Sequence, residues 1–200
     1  MQNRLPPQPT IERARITEDL ISTKGTDLAR WSSTDNLATQ WDSRAAMAAK
    51  LIGNGQRVLD VGAGSMILGK LLSKDCTYFP ADVVERCTGC LVVDINKKQF
   101  PTGDFDWVTF LGVLEYVHDI SWPLKRAREN APNLMVTYCS DIGADKSGRR
   151  GLGWVNDYPK EEFERILKNT GWKILTCNEV KRGPTNIQYM YSCASMQEPQ

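Results

Sequence analysis

Beyond residue 56, short apolar runs alternate with stretches whose apolar positions recur every three or four residues. The runs are Val58–Val61, Cys76–Val84, Cys90–Ile95, Phe105–Leu111 and Leu134–Cys139. Their shortness and their β-branched and aromatic content predict buried strands. Met66–Leu72, Trp122–Glu129 and Pro159–Gly171 carry helical spacing. The last of these opens on Pro159, places Phe163, Ile166 and Leu167 on one face, and stops at a glycine. Gly112–His118 follows the fourth run as a short helix or turn. Strand and helix in alternation predict an α/β fold, a doubly wound and mostly parallel sheet.

Two breaks in the rhythm are informative. Very few residues separate the second and third runs, whereas a parallel crossover usually takes a dozen or more. A turn or irregular loop is expected there instead of a helix. Ser140–Asp157, rich in glycine and charge, is longer than most α/β connections and is expected to be a lid or substrate loop. Near the end, Trp172–Cys177 and Ile187–Cys193 flank a turn-rich linker with Arg182-Gly-Pro184, a hairpin signature.

Upstream, Thr10–Ile21 has helical spacing. Thr34 or Asp35 is placed to cap a second helix whose apolar positions are Leu37, Trp41, Ala45, Ala46, Ala49 and Leu51, ended by Gly53-Asn54-Gly55. Trp41 is either core or faces a ligand cleft. Residues 1–10 are rich in Pro and Gln and are expected to be disordered or loosely attached. The chain of 200 residues thus divides into a helical cap over 11–55 and an α/β core over 56–195, within one domain.

Composition narrows the function classes. A hydrophobic share of 41%, a charged share of 24% and a formal net charge of +1 describe an ordinary soluble protein without a general pull toward polyanions. Nucleic acid and membrane are therefore not expected as partners. No apolar run approaches a membrane span, and the polar N-terminus is no signal peptide, so the cytoplasm is the expected location. Cys87-Thr-Gly-Cys90 is the one close cysteine pair, and with a single histidine no metal site is expected.

The chemistry concentrates at Arg57–Gly64, where a strand runs into Gly62-Ala63-Gly64. Such a turn brings bare backbone to the carboxyl edge of the sheet, the place where open α/β sheets bind ligands. Asp60, Asp82 and Asp94 each end an apolar run and fall along the same rim. A carboxylate after the second strand suits a ribose diol, and one after the third suits an exocyclic amine. A dinucleotide site fits less well, because Ile67 stands where the third glycine of Gly-x-Gly-x-x-Gly belongs and Asp60 would repel a pyrophosphate.

Val58–Gly64 resembles the first motif of class I S-adenosylmethionine-dependent methyltransferases. Asp82 matches that family's acidic residue after the second strand, Asp94-Ile95 its adenine-contacting position, and Phe105–Asp119 its fourth-strand segment. Tyr158–Leu167 with Gly171-Trp172 resembles the late helix and strand of its small-molecule branch, so the likeness covers roughly residues 40–193 in the expected order. It implies a sheet of about seven strands with the last antiparallel, and S-adenosylmethionine as cofactor. It implies a cofactor site of Asp60, Gly62, Ala63, Gly64, Asp82, Val83, Asp94, Ile95, Leu111 and Gly112.

Methyl transfer from a sulfonium needs alignment more than chemistry from the protein. The implied acceptor is a small molecule, such as a sugar or secondary metabolite, methylated on oxygen or nitrogen. An oxygen nucleophile usually needs a base. His118, Asp157 and Tyr158 are the leading candidates, with Glu115 and Asp119 behind them. Trp154, Asn156, Arg149 and Arg150 are placed to shape acceptor recognition, the arginines by meeting an anionic acceptor or else by lying solvated. Leu111-Gly-Val-Leu after the fourth strand is no Asn-Pro-Pro-Tyr-type motif, which speaks against methylation of base or glutamine amino groups. The competing class is a methyltransferase-like scaffold that keeps the pocket without turnover. Oligomeric state is not legible.

Overall fold

The computed structural model describes residues 10–37, 42–143, 146–183 and 186–196. The expectations for residues 1–9, for Trp41 and for Pro184 lie outside them.

Seven strands form one sheet: β1 (Arg57–Val61), β2 (Thr77–Asp82), β3 (Leu91–Val92), β4 (Trp107–Leu111), β5 (Asn133–Asp141), β6 (Trp172–Arg182) and β7 (Asn186–Ser195). Their order is β3-β2-β1-β4-β5-β7-β6. The first five pair in parallel, and β7 inserts antiparallel between β5 and β6. This is the α/β sheet with an antiparallel last strand that the sequence implied.

Period-two alternation sends the two faces of the strands to two apolar layers. Leu59, Val61, Val108, Phe110, Leu134 and Val136 pack against α5 (Ser121–Asn130) and α7 (Lys160–Asn169), through Leu124, Ala127, Phe163 and Leu167. Val58, Trp107, Met135 and Met190 face α3 (Asp42–Leu51) and α4 (Ile67–Leu71), through Ala45, Ala48 and Leu68. Polar residues on that second face, Asp60 and Thr109, are also buried and must bond each other. They do, as described below.

The chain crosses the sheet between β1 and β4, because β1 sends its connection one way to β2 and β4 sends its own the other way to β5. The carboxyl ends on either side of that point splay and leave a cleft. Two further helices, α1 (Ile11–Thr23) and α2 (Leu28–Ser32), lie upstream of α3, and α6 (Lys146–Gly151) lies in the connection after β5. Thr10 caps α1 by accepting the Arg13 N–H, and α1 packs on α6. The Thr17 hydroxyl seals that contact by donating to the Arg150 carbonyl.

Two expectations need correction. The third apolar run is not a buried strand: only Leu91 and Val92 pair, at the sheet edge and both exposed, before a 3-10 turn at Ile95–Lys97. An edge position leaves one flank without a strand, so apolar content there does not imply burial. The helix expected to be capped by Thr34 or Asp35 does not start there: Thr34–Asn36 is a 3-10 turn capped by Ser33, Leu37 is extended, and α3 runs Asp42–Leu51. The Ser140–Asp157 connection, expected as a lid or substrate loop, contains α6. The expected missing helix before β3 is indeed missing, and residues 83–90 are turn and bend.

Candidate active site

β1 delivers its last residues into the cleft through a turn that holds glycine in the left-handed region at two positions. Gly62 has φ +78° and Gly64 φ +52°, both in the left-handed region. A Cβ on Gly62 would also sit 2.3 Å from Val113 Cγ2, so the turn touches the segment after β4. The Gly62 and Ala63 N–H groups both donate to the Ala81 carbonyl, which ties the turn to β2.

Asp60 is buried within this frame. Its carboxylate accepts from Thr109 Oγ1 at 2.6 Å and from Tyr78 Oη at 2.7 Å, stitching β1 to both neighbouring strands. Burial pushes its pKa up, against which the two hydroxyl donors act, and Asp82 adds repulsion while Arg44 offers attraction. Tyr78 is pushed up in turn, by burial and by Asp60. Asp60 is therefore chiefly a brace.

Asp82 ends β2 with Oδ2 accepting the Gly64 N–H at 2.8 Å and Oδ1 accepting the Val83 N–H at 2.8 Å. Arg86 Nη2 also reaches Oδ1, at 3.2 Å. Asp94 caps the next 3-10 turn: Oδ1 accepts from Asn96 N and from Thr26 Oγ1. Its Oδ2 is buried and makes no hydrogen bond, with Lys97 Nζ 3.7 Å away. A buried carboxylate oxygen without a donor is an open acceptor.

Beyond β4, Gly112 has φ +76°, and the Arg44 guanidinium lies where its Cβ would be, with three atoms 2.5–2.6 Å from that point. Burial lowers the Arg44 pKa, and Glu115, Cys139, Tyr116 and Asp60 each pull it back up. Trp31 and Tyr116 stand edge to face, centroids 4.9 Å apart, with the Arg30 guanidinium over both rings. Arg30 Nη1 donates to the Leu152 carbonyl, so α2 is pinned to the end of α6.

Together these residues enclose one cleft of about 1050 Å³, counted to its open mouth. All ten residues expected to form a cofactor site line it: Asp60, Gly62, Ala63, Gly64, Asp82, Val83, Asp94, Ile95, Leu111 and Gly112. Sequence reasoning missed Thr26, Trp31, Arg44 and Arg86, which line it as well. Arg44 carried a usable signal, since it precedes Ala45 and Ala48 on the helix leading into β1. Thr26 and Trp31 carried none, because polar and turn residues surround them.

The three candidate bases are placed elsewhere. His118 points Nε2 at the Gly25 carbonyl, 2.9 Å away, and its backbone N–H donates to Asn96 Oδ1. A carbonyl only accepts, so Nε2 carries the hydrogen in that contact. Burial lowers the His118 pKa, with Lys24 in the same direction and the Gly25 carbonyl and Asp94 opposing. Asp157 is paired with Arg149 Nε at 2.8 Å and with Arg150 Nη1 at 2.9 Å. Burial alone would raise its pKa; the two guanidiniums outweigh that and hold it below the usual carboxylate range. Tyr158 is half-buried, its N–H donating to Tyr138 Oη, and burial pushes its pKa up. None of the three lines the cleft.

The residues expected to shape acceptor recognition are also largely occupied. Arg149 is fully buried, donating to the carbonyls of Cys139 and Asn156, so it is neither solvated nor open to an anion. Asn156 bridges the Leu114 and Val117 carbonyls and accepts from Tyr138 Oη.

Residues 33–176 match the model of the methyltransferase domain family. No curated protein matches the chain in sequence. Among solved structures, the chain is similar to the 1,6-didemethyltoxoflavin-N1-methyltransferase of Burkholderia thailandensis, crystallised with 1,6-didemethyltoxoflavin and S-adenosylhomocysteine. The two share 16% identity over 94% of this chain and 91% of that one, with a TM-score of 0.63. It is also similar to the magnesium protoporphyrin IX methyltransferase of Synechocystis PCC 6803, with bound S-adenosylmethionine. There the identity is 16% over 93% of this chain and 99% of that one, at a TM-score of 0.57. At such identities the likeness speaks for the fold, and it agrees with the family match covering well over half of the sequence. The chain belongs to the class I S-adenosylmethionine-dependent methyltransferase family.

Proposed function

We propose that this enzyme moves the methyl group of S-adenosylmethionine to a nitrogen or oxygen of a small-molecule acceptor, one unit in which a helical cap (11–55) covers an α/β core (56–195). The observation that carries this is the convergence of ten motif residues on one cleft whose polar groups still have capacity. Asp94 Oδ2 is an unfilled buried acceptor, the partner an adenine amino group needs. Gly62 and Gly64 leave backbone bare on the cleft wall, and Ile95 and Val83 supply apolar surface beside the two carboxylates.

The residues fit the cofactor from end to end. Asp94 and Ile95 hold the adenine, Asp82 and Val83 the ribose, and the 62–64 turn the homocysteine chain. Arg44 is the cation at the Gly112 end and meets the amino-acid carboxylate. The cofactor supplies a methyl group already activated by its sulfonium. Leu111 and Gly112 wall the place where that carbon would be handed over, and the acceptor enters past Trp31, Leu37 and Tyr116.

Among the described residues the cleft lining includes no histidine, cysteine or lysine, and Asp60 is committed to Thr109 and Tyr78. This favours an acceptor whose nucleophile brings its own lone pair, such as a ring nitrogen or an oxygen already ionised at neutral pH. A flat apolar or heteroaromatic body suits the Trp31–Tyr116 wall. His118, Asp157 and Tyr158 then keep structural roles.

Titration calorimetry with S-adenosylhomocysteine and S-adenosylmethionine tests the cofactor half, and methyl-labelled cofactor with a panel of heteroaromatic and phenolic acceptors tests the transfer. Binding of both cofactor forms with label appearing in an acceptor is the expected result. Binding without transfer to any acceptor class would favour the scaffold reading, and absence of binding would end both.

A further inference from the structure

The connection between β2 and β3 lacks a crossover helix, and the shortened chain folds Arg86 back over Asp82. Both side chains are buried, at 6% and 7% exposure. Arg86 Nη2 donates to Asp82 Oδ1 at 3.2 Å, while Arg86 Nε is buried with no hydrogen-bond partner. Both residues line the cleft.

A carboxylate oxygen has two lone pairs. Those of Asp82 Oδ1 are taken by the Val83 N–H and Arg86 Nη2, with the Val84 N–H also within 3.4 Å. Oδ2 accepts only the Gly64 N–H, so one lone pair is left. Asp82 therefore lacks the capacity to take both hydroxyls of a vicinal diol on two free oxygens. Beside it stands a guanidinium whose Nε–H has no partner. A hydroxyl both donates and accepts, so a diol matches a neighbouring acceptor and donor better than it matches this carboxylate alone.

We propose that Arg86 is a cofactor-binding residue. It forms with Asp82 a mixed-charge clasp on the ribose, in which Oδ2 accepts one hydroxyl proton and the guanidinium donates to a hydroxyl oxygen. The clasp rests on the S-adenosylmethionine reading above. It replaces the lone carboxylate that the family resemblance implied, and it explains an ion pair at the one place where this chain's connection is truncated.

The test is calorimetry of S-adenosylhomocysteine and its 2′,3′-dideoxy analogue against the wild type and Arg86→Met. The methionine keeps the apolar stem and removes every donor, and thermal melting of the apo protein checks that it folds. The wild type should bind the dideoxy analogue about tenfold or more weakly than the natural ligand. Arg86→Met should lose about tenfold for the natural ligand and little for the analogue. Should that variant not fold, Arg86→Leu likewise keeps apolar bulk and removes every donor, and is expected to show the same selective loss. Equal losses for both ligands, or unchanged or tighter binding of the natural one, would overturn the clasp and leave Arg86 as a strut or a plug. Failure of the wild type to bind either ligand would sink the cofactor reading itself.

Discussion

Two clusters of charge lie at the carboxyl edge of this sheet, and they behave in opposite ways. After β1, β2 and β3, the carboxylates Asp60, Asp82 and Asp94 gather round a glycine turn and line a cleft, where Asp60 is taken up by Thr109 and Tyr78 while Asp82 Oδ2 and Asp94 Oδ2 keep acceptor capacity. After β5, Arg149, Arg150 and Asp157 satisfy one another and nearby carbonyls. Both clusters gather charge at the same edge of the sheet, yet one lines a cleft and the other closes on itself as a lock. The difference is whether opposite charges close on themselves or leave a remainder for a ligand. A charged loop is thus no guide to function until its internal pairs have been subtracted.

The largest expected effect sharpens the lock. Arg149→Ala leaves Asp157 with a buried partner missing and three carbonyl contacts unmade, which should cost about 3–5 kcal/mol in urea denaturation. Affinity of the folded fraction for S-adenosylhomocysteine should change little; a large loss of affinity at full stability would make this cluster part of the site. Gly62→Ala comes next. Its left-handed φ and the 2.3 Å approach to Val113 should cost about 2–3 kcal/mol of stability and weaken cofactor binding as well. An affinity unchanged in that variant would detach the turn from the cofactor.

Asp94→Asn probes the site with less disturbance. The amide keeps an acceptor for Thr26 but turns a donor toward the adenine amino group. Binding of S-adenosylhomocysteine should weaken by about 1–3 kcal/mol in calorimetry, with melting of the apo protein nearly unmoved. The smallest effect concerns His118. Its folded pKa lies below the unfolded value, so the unfolded chain takes up the proton first on acidification. Stability from this group is whole above about pH 6.5, the unfolded value, and declines below it. His118→Asn should flatten that part of a stability–pH curve measured by urea titration; a curve of unchanged slope would remove His118 from the account.

The sequence made the ligand edge legible because backbone conformation and alternation dictated it. Left-handed φ at 62 and 64 favours glycine, and a strand-ending aspartate in a twisted parallel sheet lands on the same rim as its neighbours. The helices α1, α5 and α7 came out within a residue or two of their periodic stretches, whereas the stretch from Thr34 yields a 3-10 turn at Thr34–Asn36 and a helix described only from Asp42. Legibility failed where tertiary pairing decides. Leu91 and Val92 look like core and lie at an edge, because apolarity does not say which flank a strand will occupy. Arg149 looks like surface and is sealed, because its partners, Asp157 and the Cys139 and Asn156 carbonyls, are matched only in three dimensions. Candidate bases were chosen by residue type near the rim. His118 reaches a backbone carbonyl of the loop before α2 instead, a contact 93 positions away that spacing does not reveal. Arg44 and Arg86 enter the cleft from a preceding helix and from a truncated connection, neither belonging to a motif that glycine and aspartate spacing can flag.

A crystal structure with S-adenosylhomocysteine bound is the most direct measurement of whether the first rim keeps its lone pairs for a ligand. The adenine amino group is expected within hydrogen-bond distance of Asp94 Oδ2, with the ribose against Asp82 and the amino-acid carboxylate at Arg44. Density for the ligand outside this cleft, or an Asp94 Oδ2 still without a donor beside bound adenine, would contradict it.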